Sequence, residues 1–216
     1  MDGQPEFFII AGPNGAGKST FGQAFVSKSL TIFNGDLVFA DLVRRYPQIE
    51  PVRLQGGVAH ALEEARDKAL LSRSDFAFES NYSSDMASDV SQRFRDAGYK
   101  TTLIYFGLDN LKLSAYRVER RVISGGHDVS PETIRYNFDE GIKRINSDLH
   151  QFDRVIFVDN RNENARIIGL IQKESQQHLH IEEEIKWYKI HFEHQVNKLV
   201  PTPKLVPQIK IRPPKH

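Results

Sequence analysis

FFIIAGPNGAGKSTF (residues 7–21) runs from an apolar stretch through a glycine-rich turn into a segment with helical spacing. Phe7 to Ala11 is a short continuous apolar run that stops at glycine, the pattern of a strand buried on both faces. Gly17 to Ser27 predicts a helix, with Phe21 and Phe25 four apart on one side. Between them, Gly12-Pro13-Asn14-Gly15-Ala16-Gly17-Lys18-Ser19 satisfies G-x-x-x-x-G-K-[ST] in full. The glycines let the backbone curl so that successive N–H groups face phosphate oxygens with no Cβ in the way. The helix that follows turns its positive end to the same anion. Lys18 is placed to neutralise β and γ oxygens, and the Ser19 hydroxyl to meet Mg²⁺, with Thr20 beside it. ATP and Mg²⁺ are the expected cofactors.

Outward from this stretch, strands and helices alternate. Strands are predicted at 31–34, 75–79, 101–107 and 155–159, with helices at 56–71, 83–97, 111–123 and 131–149. Breaks fall near Pro47 and Pro51, Gly98 is a helix terminator, and Ser130 before Pro131 is an N-cap followed by proline at N1. Such alternation implies βαβ units: an α/β fold, a P-loop parallel sheet of about five strands flanked by helices. Ligands of such sheets bind beyond the carboxyl ends of the strands. The residues to inspect are therefore Gly12 to Thr20, Asp36, Glu79 to Tyr82 and Asp109.

Asp36, just after the second strand, is the candidate base that takes the acceptor hydroxyl's proton, or else the N-cap of the next helix. Glu79, ending the third strand, is a candidate for the metal region and, with Asn81, for the acceptor. Arg117, Arg120, Arg121 and Arg135 bracket SGGHDVS (124–130), and 117 and 121 share a helix face. A helix–Gly-Gly–helix hairpin bearing arginines suits a lid that stabilises charge on a transferring phosphoryl group. Arg121 and Arg135 are its candidate catalytic arginines. His127 is assigned no chemistry, and His178 and His180 are read as solvated.

The 216 residues suggest one domain with an appendage. Residues 1–172 form the expected kinase domain, 173–199 a C-terminal helix and 200–216 a proline-rich basic tail, extended or disordered. Ile181, Ile185, Tyr188, Phe192, Val196 and Leu199 give that helix one narrow apolar seam, to pack on its own domain or to dock a partner. A net charge of +1 argues against nucleic acid or an anionic membrane as partner. The absence of cysteine removes thiolate metal sites and cysteine nucleophiles. With no signal-peptide pattern at residues 1–6 and no apolar stretch near the roughly 20 residues a span needs, a cytoplasmic protein is expected.

The loop alone does not separate a kinase from a mechanical ATPase. GPNGAGKST also suits ABC-type ATPases, and Ile123-Ser-Gly-Gly-His127 looks like their LSGGQ signature. Those enzymes need a nearby strand ending in Asp-Glu. Here the next strand ends at Asp159-Asn160, too far along and without the glutamate.

FFIIAGPNGAGKSTF, NGD at 34–36, FAFES at 76–80 and RVISGGHDVSPETIR at 121–135 together resemble the zeta-toxin family of P-loop kinases, in order and spacing, over about residues 6–170. The resemblance implies a nucleoside-kinase-like fold, membership of a toxin–antitoxin pair, and phosphorylation of the sugar 3′-hydroxyl of UDP-N-acetylglucosamine. It implies Lys18 and Ser19 on ATP and Mg²⁺, Asp36 as base, Glu79 in the substrate and metal region, and Arg121 on the γ-phosphate. The chain departs from the family at Asn137-Phe138, where an arginine–aromatic pair is common. Another small-molecule kinase, for a nucleoside or an antibiotic hydroxyl, and a non-kinase ATP-binding protein stay open as alternatives.

Overall fold

A computed structural model describes residues 3–125, 128–162, 164–181, 183–201, 203–206 and 209–211. The chain opens with β1 (Glu6–Ala11), the phosphate-loop turn, and α1 (Lys18–Phe21). The expected helix over 17–27 is shorter than its pattern. After Phe21 the chain tightens into a 3₁₀ turn (Gly22–Phe25) and leaves helical geometry at Val26. Next come β2 (Ile32–Asn34), α2 (Gly35–Arg45), α3 (Pro51–Ser72), β3 (Phe76–Ser80), α4 (Asp85–Asp96) and β4 (Lys100–Gly107). Then follow α5 (Leu111–Ile123), α6 (Pro131–Asp148) and β5 (Arg154–Asp159). Ser130 caps α6 as expected, its hydroxyl accepting from Thr133 N–H, with Pro131 in the first turn.

Among the described residues the sheet has nine strands rather than about five. The expected five, in order β2-β3-β1-β4-β5, are parallel. They continue through antiparallel β6 (Arg166–Gln172) and β7 (Gln177–Ile181) to β8 (Pro203–Val206), which runs parallel to β7. β9 (Ile209–Lys210) pairs with β6. The helix expected over 173–199 is instead β7 followed by two short helices, α7 (Lys186–His191) and α8 (Glu193–Leu199). The reason is nonlocal. Once β6 lies on β5, its free edge offers a ladder of N–H and C=O groups, and 177–181 pairs with it through the turn at 173–176. Within the tail, expected to be extended or disordered, the described residues include β8 and β9, which belong to the sheet. The seam packs on its own domain: Ile181, Ile185, Tyr188, Phe192 and Val196 are all buried. His178, read as solvated, is buried on β7 with its Nε2 3.3 Å from the Tyr188 hydroxyl.

Alternation along β1 sends Phe7, Ile9 and Ala11 into one core and Phe8 and Ile10 into another. Both faces of the parallel sheet are thus covered, which is what an uninterrupted apolar strand requires. The first core includes the stacked rings of Phe7, Phe76 and Phe94, and closes against α3, α4 and the C-terminal helices. There Trp187 lies against Gly107, where an added Cβ would come within 2.3 Å of the indole. Register aligns the strand ends. Ala11 pairs with Ser80 and Tyr105, and Asn34 with Glu79, so the turns after β1, β2 and β3 share one edge.

Candidate active site

That edge carries a cleft of about 470 Å³, bounded by residues 14–20, 34–36, 79–81 and the inner side of α5. The phosphate loop enters it with Gly12, Gly15 and Gly17 at φ of 143°, 74° and 89°, left-handed values that a side chain resists. Lys18 is buried, and its ammonium donates to the carbonyls of Gly12 (2.8 Å) and Pro13 (3.0 Å) and to Asn81 Oδ1 (2.9 Å). Burial pushes its pKa below the usual lysine range, and Arg121 adds to this, while Glu79 and Asp36 pull the other way.

The Ser19 hydroxyl sits 2.8 and 3.0 Å from the two oxygens of Glu79 and donates to them. Asn34 Nδ2 donates to Glu79 Oε2 at 3.0 Å, while its Oδ1 accepts from the N–H groups of Asp36 (2.9 Å) and Leu37 (3.3 Å). Asn34 is therefore the N-cap of α2. Asp36, weighed above for that role, stands in the first helical turn with its exposed carboxylate in the cleft, where the helix dipole favours negative charge. Hydroxyl and carboxylate oxygens are hard donors that fit Mg²⁺. Among the described residues no group of three or more His, Cys, Asp or Glu gathers as a metal cage.

Arg117 and Arg121 line the cleft from α5. Arg117 also donates to the carbonyls of Gly15 (3.3 Å) and Arg161 (3.0 Å). Arg135 is not brought in. It lies on the exposed side of α6, beside a separate hollow with Glu132, Tyr136, Asp139 and Glu140. Gly126 and His127, the middle of the lid turn, lie outside the described residues. Asp109 faces Arg161 at 3.7 Å rather than the cleft.

Several site residues escaped the sequence reading. Asn137 is buried on α6. Its Nδ2 donates to Asn14 Oδ1 (2.9 Å), and its Oδ1 accepts from the Ser83 hydroxyl (2.6 Å), so it ties the phosphate loop to the turn after β3. Ser114 donates to the Asn14 carbonyl (2.6 Å), and Asn160 to that of Ala16 (2.9 Å). Asn137 stood out only as a departure from the family's pattern, and no motif marks Ser114 or Asn160. The one usable signal was Asn34 itself, an asparagine ahead of Gly-Asp where a strand yields to a helix.

The model of the zeta toxin family matches residues 1–170. The chain belongs to the zeta toxin family. Among solved structures, the zeta toxin fold here superposes on the PezAT chromosomal toxin–antitoxin system of Streptococcus pneumoniae with a TM-score of 0.60 and 16% identity, over 93% of this chain and 89% of that one. That coverage reaches well past residue 170, so the C-terminal elements also have structural counterparts. A candidate kinase from Chloroflexus aurantiacus matches at TM-score 0.52 and 18% identity, over 64% and 77% of the two chains. The AvrRxo1-ORF1:-ORF2 complex with ATP matches at 0.58 and 14%, over 78% and 59%. An uncharacterized protein of Haemophilus influenzae is 22% identical over 138 residues, 62% of this chain and 94% of that protein. The family and these folds make the chain a P-loop, kinase-like protein. No described helix is long and apolar enough to cross a membrane.

Proposed function

We propose that this zeta toxin transfers the γ-phosphoryl group of ATP to a hydroxyl of a small acceptor, of the nucleotide-sugar class to which UDP-N-acetylglucosamine belongs. The observation that carries this reading is the meeting of Lys18, the Ser19–Glu79 pair and the Asp36 carboxylate in one cleft. The glycine-curled loop receives the triphosphate, and Lys18, already desolvated, compensates its charge. Ser19 and Glu79 would hold Mg²⁺, which would supply neutralisation of charge on the phosphate oxygens. Asp36 orients the acceptor hydroxyl and takes its proton, and Arg121 stabilises charge on the moving phosphoryl group. Asn81 contributes polar contacts to the acceptor from the turn after β3. The bound ATP of the AvrRxo1-ORF1 complex supports the choice of nucleotide, and the resemblance to the zeta-toxin kinases supports the acceptor class. The pneumococcal neighbour's toxin–antitoxin setting supports a cognate antitoxin protein as partner.

The test offers ATP and Mg²⁺ with a panel of nucleotide sugars, nucleosides and hydroxylated antibiotics, read by mass spectrometry for one added phosphate. A phosphorylated nucleotide sugar is expected. A phosphorylated nucleoside or antibiotic moves the protein to another kinase class. ADP release with every acceptor unchanged sinks the kinase reading.

A further inference from the structure

The turn after β5 has no role in the chemistry above, yet it holds the phosphate loop from behind. Asn160 is 3% exposed, and its Nδ2 donates to the Ala16 carbonyl inside that loop at 2.9 Å. A Cβ on Gly17 would fall 2.3 Å from the same Nδ2, so the loop and this amide are packed as one piece. Asn160 Oδ1 is buried with no hydrogen-bond partner among the described residues. Turning the amide over would set that oxygen against the Ala16 carbonyl, so the orphan is fixed by the contact Nδ2 makes. A second tie runs from the next residue, whose carbonyl (Arg161) accepts from Arg117 Nη2 at 3.0 Å.

This turn is itself held by the C-terminal extension. Asp159 is 2% exposed and accepts from Arg161 Nε (2.8 Å), Arg166 Nε (3.0 Å) and the Trp187 indole N–H (3.0 Å). Glu183 binds the far side of Arg166 at 2.6 and 2.9 Å and approaches Arg161 at 3.6 Å. A buried carboxylate with this many charged and neutral donors is stiff, and losing one donor leaves part of its charge uncompensated.

We propose that Asn160 is a positioning residue for the triphosphate loop and that Trp187 supports it through Asp159, so that residues 183–187 of the C-terminal extension belong to the nucleotide site. The inference rests on the nucleotide reading above. Trp187 is the only tryptophan of the chain, so its emission reports on this brace directly.

The experiment measures binding of ATP with Mg²⁺ by equilibrium dialysis and the thermal midpoint in the full chain, Asn160→Ala and Trp187→Phe, with Trp187 emission followed in the first two. The wild-type chain is expected to bind ATP and to shift its tryptophan emission as it does. Asn160→Ala should weaken ATP about tenfold, the scale of one lost buried hydrogen bond with some loop misplacement. In that variant bound ATP should no longer shift the emission, and the midpoint should fall by a few degrees with the chain still folded. Trp187→Phe keeps an aromatic ring but loses the indole N–H and the volume of the second ring, and should weaken ATP by a smaller factor. Unchanged ATP affinity in a folded Asn160→Ala overturns the inference. If that variant does not fold, unchanged affinity in Trp187→Phe overturns it. Failure of the wild-type chain to bind ATP overturns the nucleotide reading itself, and this inference with it.

Discussion

At the scale of single residues, the cleft divides its work among a cation, a hydroxyl–carboxylate pair and a second carboxylate. Lys18 is desolvated and its ammonium already has three acceptors, so it cannot be replaced by a shorter side chain without orphaning Asn81 and leaving phosphate charge unmet. Lys18→Ala is expected to abolish phosphoryl transfer, checked by acceptor phosphorylation. Asp36→Asn keeps the shape and the helix turn but removes the proposed base. Turnover should fall by roughly 10² or more, the contribution general bases make. An Asp36→Asn enzyme with normal turnover would end the assignment of the base. For the arginines the structure separates two candidates that the sequence treats alike. Arg121→Ala should cost about 10²-fold in turnover, as loss of a group facing developing charge does. Arg135→Ala, on the outer side of α6, should stay within about threefold, well below the effect of a charge-stabilising group.

At the scale of elements, α6 joins two parts of the site that are far apart in sequence. Asn137 accepts from Ser83 and donates to Asn14 with little room to spare, because a Cβ on nearby Gly141 would stand 2.5 Å from the Asn81 carbonyl. Asn137→Leu fills the same space with no hydrogen-bonding capacity and leaves Asn14 Oδ1 buried without its donor. It should destabilise the fold by about 1–3 kcal/mol, the penalty of unsatisfied buried polar groups, read from denaturant unfolding. This scale also shows what could be read in advance. β1, the phosphate loop, the boundaries of α5 and α6, and the Ser130 cap were legible, because apolar period, glycine placement and capping chemistry agreed there. The Asp36 and Glu79 positions followed from parallel topology alone. Residues 173–199 were not legible. The apolar positions 181, 185, 188, 192 and 196 keep helical spacing, yet 181 ends a strand, 188 and 196 fall on two short helices, and 185 and 192 sit at the helix ends outside them. Nothing local announces that the edge of β6 is there to capture β7. The supporting asparagines at 137 and 160 were hidden for a related reason: each finds its partner across more than a hundred residues.

At the scale of the whole molecule, three histidines of the C-terminal region have pKa values lowered by burial: His178, His180 and His191. Each is held neutral in the folded chain, while in the unfolded chain it titrates near 6.5. The unfolded state therefore binds more protons in mildly acid solution. The stability these groups support is present above about pH 6.5 and is lost as pH falls through their lower folded values. The thermal midpoint should drop between about pH 7 and pH 5, and His178→Gln should flatten that slope. An unchanged slope in that variant would show that His178 does not titrate between the two states. The sheet has one more consequence. β8 and β9 return to pair with β7 and β6, so the edges of those two strands stay open until residues 203–210 arrive. A nascent chain halted on the ribosome at residue 172 already holds Lys18, Asp36 and Glu79, but lacks the tryptophan and the strands that brace them. Nucleotide binding should therefore wait for the C-terminal elements, and stalled chains of increasing length should retain ATP only once Trp187 has cleared the exit tunnel.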